Sequence, residues 1–94
     1  MAQDPHKAAA ASAMVRGRRA RFRREARRTD VVAMLLSPPA WIATADIEWV
    51  LKAAHGIGRE RAASVLREQQ ISPTRAVGSL TRRQRRNLAE ALRS

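Results

Sequence analysis

The chain has no cysteine and no tyrosine, and only one phenylalanine and two tryptophans in 94 residues. Without cysteine there is no disulfide framework, thiolate nucleophile, iron-sulfur cluster or cysteine zinc site. Its two isolated histidines do not make a metal site by themselves. An aromatic content of 3% is too low for the ring platforms on which single strands stack. No run of 18 apolar residues spans a bilayer, and no apolar stretch with a small-residue cleavage site marks export, so a cytoplasmic chain with no membrane partner is expected. Acidic groups are scarce: 8 against 19 Lys and Arg, for a formal charge of +11 and a sequence pI near 12.0. Asp30, Asp46 and Glu48 read as helix caps and first-turn charges rather than a catalytic pair. No catalytic residue, metal or cofactor is therefore expected, and the chain is read as a non-enzyme that seeks a polyanion.

The charge is unevenly placed. Residues 1–28 carry Lys7 and eight arginines, Arg16, Arg18, Arg19, Arg21, Arg23, Arg24, Arg27 and Arg28, against Asp4 and Glu25. Their sizeable apolar residues after Met1 are Met14, Val15 and Phe22, whose spacing defines neither a helical stripe nor a strand alternation. Ala and Arg favour helix, and Gly17 costs about 1 kcal/mol there, so residues 7–28 are expected to form a helix that is frayed alone and ordered on a nucleic acid. Residues 29–94 hold about nineteen large apolar side chains, enough for a core. The expected division is a basic arm, 1–28, and one folded domain, 29–94.

Within the domain every periodic segment is helical, which makes the expected class all-α. Thr29 or Asp30 is expected to cap a helix bearing Val31, Val32, Leu35 and Leu36, stopped by Pro38 and Pro39. After a link seated by Trp41 and Ile42, Thr44 is expected to cap a second helix with Ile47, Val50, Leu51 and Ala54 on one face. That helix ends at His55-Gly56-Ile57-Gly58, and a third begins at Arg59, burying Ala62, Val65 and Leu66. Ser72-Pro73 predicts a single helical turn through Val77, closed by Gly78. Thr81 and Gln84 form a capping-box pattern for the last helix, with Leu88 and Leu92 inward and Arg82, Arg83, Arg85 and Arg86 outward.

The glycine hairpin has a chemical use. Glycine lets a main chain approach another molecule with no Cβ in the way, and the helix that starts there has amides without intrahelical partners. A phosphate fits at Gly58 and Arg59, with Ile57 turned inward as anchor and Arg59 and Arg61 adding charge. GxG alone is also what any tight helix-helix turn favours. Ser72-Pro73-Thr74-Arg75 offers a second such start, and the last helix adds Arg82, Arg83 and Arg86. His55 suits a helix C-terminus as well as a phosphate, and Trp49, off the apolar stripe, suits packing better than stacking on a base.

The stretch IEWVLKAAHGIGRERAASVL followed by ISPTRAVGSLTRRQRRNLAEAL resembles the helix-two-turn-helix domain of the actinobacterial integration host factors, over roughly half the chain. The shared parts are the G-I-G-R hairpin, the I-x-P-T-R segment and L-x-x-R-Q-R-x-x-L-x-E. Ala54-His55 departs from the Leu-Pro common in that family, and the arm is denser in arginine, suggesting a divergent member of phage or actinobacterial origin. A small-subunit ribosomal protein is similar through the GIG hairpin alone. The resemblance implies a basic helical arm beside a helix-two-turn-helix core and contact with duplex DNA through Gly56, Gly58, Arg59, Arg61, Thr74 and Arg75.

The resulting expectation is a nucleoid-associated, sequence-tolerant binder of double-stranded DNA, monomeric when free, that bends or bridges DNA and assists recombination. Arg16, Arg18, Arg19, Arg23, Arg24 and Arg27 of the arm run over adjacent phosphates or into a narrow minor groove, and a recombinase or integrase on the same DNA is a further expected partner. The alternative is a protein of ribosomal or other structured RNA, although in the ribosomal relatives the basic extension follows the domain rather than precedes it.

Overall fold

The computed structural model describes residues 5–93, with side chains from 12 to 93. The side chain of Lys7, and Met1 and Asp4, counted with the arm, lie outside these. The class is all-α: among the described residues there are five α-helices, a short 3-10 turn at Val77–Ser79 and no strand. The helices are α1 (Pro5–Glu25), α2 (Arg28–Leu36), α3 (Ile47–Ala53), α4 (Arg59–Glu68) and α5 (Arg82–Arg93). No described helix is long and apolar enough to cross a membrane.

The core forms where the apolar stripes meet. Helix α2 lies along α5, α3 packs on α4, and α4 on α5. Val31 and Leu35 of α2, Ile47, Val50 and Leu51 of α3, Val65 of α4 and Leu88 of α5 are sealed from solvent, and Ile42 in the link is equally buried. Each recurs at helical spacing, so one face of each short helix is removed from water while its charged face stays out. Isolated helices of this length are marginal, so mutual burial holds them.

Four local expectations are corrected. Helix α2 begins one residue before Thr29, with Arg27 in the cap position; Asp30 is its third residue and accepts the Arg27 amide at 2.8 Å. Thr44 does not cap α3. Its hydroxyl receives Arg19 Nη2 at 2.8 Å, and Asp46 precedes the helix without a side-chain cap. The reason lies across the chain: the amides of Ile47 and Glu48 donate to the carbonyls of Arg75 at 2.8 Å and Pro73 at 3.0 Å. Those carbonyls satisfy amides that a helix start leaves unpaired. The same bonds hold residues 72–76 in an irregular turn, where a helical turn from Ser72-Pro73 was predicted. The 3-10 turn follows at Val77.

The fourth correction concerns the boundary at Thr29. Phe22 is only 7% exposed and Ala26 is 4% exposed, and both join the core cluster. Phe22 meets Trp41 edge-on and stacks on Trp49, with ring centroids 6.1 Å away in each case. Arg19 Nε donates to the Trp41 carbonyl at 3.0 Å. The end of α1 is thus part of the packed unit, and the exposed stretch of the basic segment precedes it. Its helix ends at Glu25, short of the expected Arg28.

Gly78 has a packing role. A Cβ placed there would lie 3.0 Å from the Cβ and 3.1 Å from the carbonyl oxygen of Ala43, and the Gly78 amide donates to that same oxygen at 2.8 Å. Gly78→Val is expected to destabilise the fold by about 1–3 kcal/mol through overpacking, read as a lower urea midpoint with an unchanged slope. A midpoint equal to the parent's would contradict this.

Candidate nucleic-acid interface

The hairpin between α3 and α4 is built as its sequence suggests. Gly56 takes φ +95°, a conformation that L side chains rarely adopt, and turns the chain. Ile57 is buried and fixes the loop to the core. Gly58 stands at the cap position of α4 with φ −73° and ψ 159°, and among the described residues no side chain caps it. The first bond of the helix runs from the Ala62 amide to the Gly58 carbonyl at 2.9 Å. The amides of Arg59, Glu60 and Arg61 precede that bond and have no intrahelical acceptor. The starts of the neighbouring helices differ: the Pro73 and Arg75 carbonyls close α3, and Thr81 and Gln84 close α5 reciprocally, at 2.9 and 3.1 Å, as their capping-box spacing predicted.

Beside the hairpin lies an open groove of about 510 Å³ whose walls include Arg23 of α1, Arg59 of α4 and Thr74 of the outer turn. These three predicted residues, far apart in the sequence, are brought to one place. The groove also holds Asp46, Glu48, Trp49 and Lys52, which were not assigned to the site. Glu48 pairs with Lys52 one helical turn away, an exposed pair of the kind worth about 0.3–0.5 kcal/mol. The carboxylates bias an anion away from α3 and toward Arg23, Arg59 and the amides of α4. Lys52 carried a legible signal, the i,i+4 spacing from Glu48 on the exposed side of α3.

Other predicted residues are placed differently. The Arg61 guanidinium donates to the Ala91 carbonyl at 2.7 Å, so it reaches toward the end of α5 rather than the groove. Arg75 folds back on Ser79, bonding its carbonyl at 3.1 Å and its hydroxyl at 3.3 Å. The Thr74 hydroxyl lies 3.2 Å from that of Ser72. Arg82, Arg83 and Arg86 are exposed along α5, outside the groove lining.

In the arm, Arg16, Arg18, Arg23, Arg24 and Arg27 are exposed, whereas Arg19 is half-buried in its bonds to Trp41 and Thr44. Arg18 and Arg21 line a different groove with Met34 and Trp41, and Arg21 pairs there with Glu25 at 3.0 Å. Trp49 packs on Phe22, which agrees with the packing reading. Among the described residues no group of three His, Asp or Glu side chains is placed to hold a metal.

The fold defined by these helices is that of a DNA-bound protein of known structure. The chain is similar to sIHF in the structure of sIHF bound to an 8 bp palindromic DNA, with a TM-score of 0.60 and 24% identity, over 90% of this chain and 96% of that one. At that identity the likeness shows the fold, in keeping with the resemblance carried by the G-I-G-R and P-T-R segments. No protein-family model and no curated protein matches the chain.

Proposed function

We propose that this chain binds the backbone of duplex DNA with little regard to sequence, as a divergent member of the integration host factor family that acts in the nucleoid. The observation that carries the reading is Gly58. Its φ is ordinary, and a Cβ placed on it would meet nothing within 4 Å, so the fold itself makes no demand for glycine there. A glycine that packing does not require, at an uncapped helix start next to Arg59, leaves room for a phosphate to reach the main-chain amides.

The likeness to a DNA-bound protein, the +11 charge and the arginines exposed along α1 and α5 support the same reading. Basic groups at the groove, where Arg23 of the arm and Arg59 of the hairpin meet, and those along α5 outside its lining form two separate sets. A duplex held by both follows a bent path or is bridged to another, and assistance to site-specific recombination is the role proposed for that bend. A recombinase on the same DNA is the partner this role implies.

Gly58→Leu tests the reading. The variant is expected to remain folded, losing about 1 kcal/mol or less for the poorer cap, while its affinity for a short duplex at fixed salt falls about tenfold or more as the side chain fills the approach. Circular dichroism melts and gel shifts with duplex DNA, single-stranded DNA and structured RNA as competitors measure both. Unchanged duplex affinity would remove the hairpin from the interface, and preferential competition by structured RNA would move the protein to the ribosomal class.

A further inference from the structure

His55 precedes the hairpin and belongs to no wall of the groove. Two bonds tie it to the end of α1. Its backbone N–H donates to the Ala26 carbonyl at 2.8 Å, and its Nε2 lies 2.9 Å from the Arg24 carbonyl. A carbonyl only accepts, so Nε2 carries the proton in this bond. The Arg24 carbonyl lies in the last turn of α1, where carbonyls lack intrahelical partners, and the imidazole supplies the missing donor. Arg27 is bridged to His55 through the backbone, and the Arg28 Cβ lies 4.0 Å from the place a Cβ on Gly56 would take. The start of the hairpin is therefore pinned to the joint between α1 and α2.

The consequence lies in what stands on either side of the clasp. Arg23, adjacent to Arg24, lines one part of the groove, and Arg59, four residues after His55, lines another. The bond between His55 and Arg24 is a short through-space link between these two parts. We propose that His55 is a positioning residue: it clasps the end of α1 to the glycine hairpin, so that Arg23 and Arg59 keep a fixed spacing before DNA arrives. This rests on the reading of the groove as a DNA-backbone site. A surface held in its bound geometry loses less freedom on association, so the clasp acts on affinity without His55 touching the ligand.

The 94-residue chain has no cysteine, so Ala20→Cys on α1 and Ala63→Cys on α4 accept a unique pair of nitroxide labels. In that background His55→Ala keeps the backbone bond and removes the imidazole, whereas His55→Gln retains a side-chain N–H donor of similar reach. In pulsed electron resonance without DNA, narrow distance distributions are expected for the parent and the glutamine variant and a broader one for the alanine variant. Duplex affinity is expected to fall about fivefold in the alanine variant and to return to within about twofold of the parent in the glutamine variant.

An unchanged distribution in the alanine variant would overturn the clasp. So would a glutamine variant as weak on duplex DNA as the alanine one, since a side-chain N–H donor would then not be what the site needs from His55. If the parent itself binds no duplex, the reading of function falls, while the distance distributions still decide whether His55 fixes the two elements.

Discussion

Phe22→Ala is expected to lower the stability of the whole chain by about 3–5 kcal/mol, the range for emptying a buried aromatic site. Phe22 is the one phenylalanine of the sequence and the side chain through which α1 meets both tryptophans. Its removal leaves Trp41 and Trp49 without their common partner and opens a space between them. For a domain of this size each kcal/mol corresponds to about 4–8 °C in melting temperature, so the midpoint should drop by more than about 12 °C. Thermal melts followed at 222 nm and by tryptophan emission measure it. A drop of only a degree or two, with both probes still coincident, would show that the basic segment is an appendage and that the domain begins at Thr29 after all.

Raising monovalent salt from about 50 to 200 mM is expected to weaken duplex binding by about three to four orders of magnitude, as for a protein that neutralises six to eight phosphates. The exposed arginines of α1 and α5 and the Arg23 and Arg59 walls supply enough cations for that number, while Arg19 and Arg61 are already engaged with carbonyls of the chain. The logarithm of the binding constant should fall linearly with the logarithm of salt, and Arg23→Ala should make that slope shallower by about one phosphate's worth. Fluorescence anisotropy of a labelled duplex across the salt range gives both slopes. A slope near zero would contradict phosphate recognition outright.

Helix positions and buried faces were legible because they depend on periodicity. Ile47, Val50 and Leu51, and Ala62, Val65 and Leu66, are buried as their spacing predicts, and the Thr81-Gln84 pattern closes α5. Helix starts decided by distant chain were not legible. Thr44 has the right chemistry for a cap, but carbonyls from residues 73 and 75 arrive at α3 instead, and no local pattern announces them.

Phe22 was hidden for a related reason: one aromatic among arginines makes no stripe, and its burial requires two tryptophans from separate elements. At the candidate site, Arg59 and Thr74 were singled out by motif chemistry, whereas their meeting with Arg23 needed the packing of α1. Arg61 and Arg75 looked equally free in sequence, yet a flexible guanidinium near an unpaired carbonyl finds it.

The two carbonyls that seat on the start of α3 have a mechanical consequence for the outer turn. Thr74 rides on a peptide segment clamped from both sides of it to a helix seated on the core by Ile47, Val50 and Leu51, so this bank of the groove is braced rather than hinged. A ligand lodging against it meets a surface that does not give way, and any accommodation falls to the ligand's own curvature.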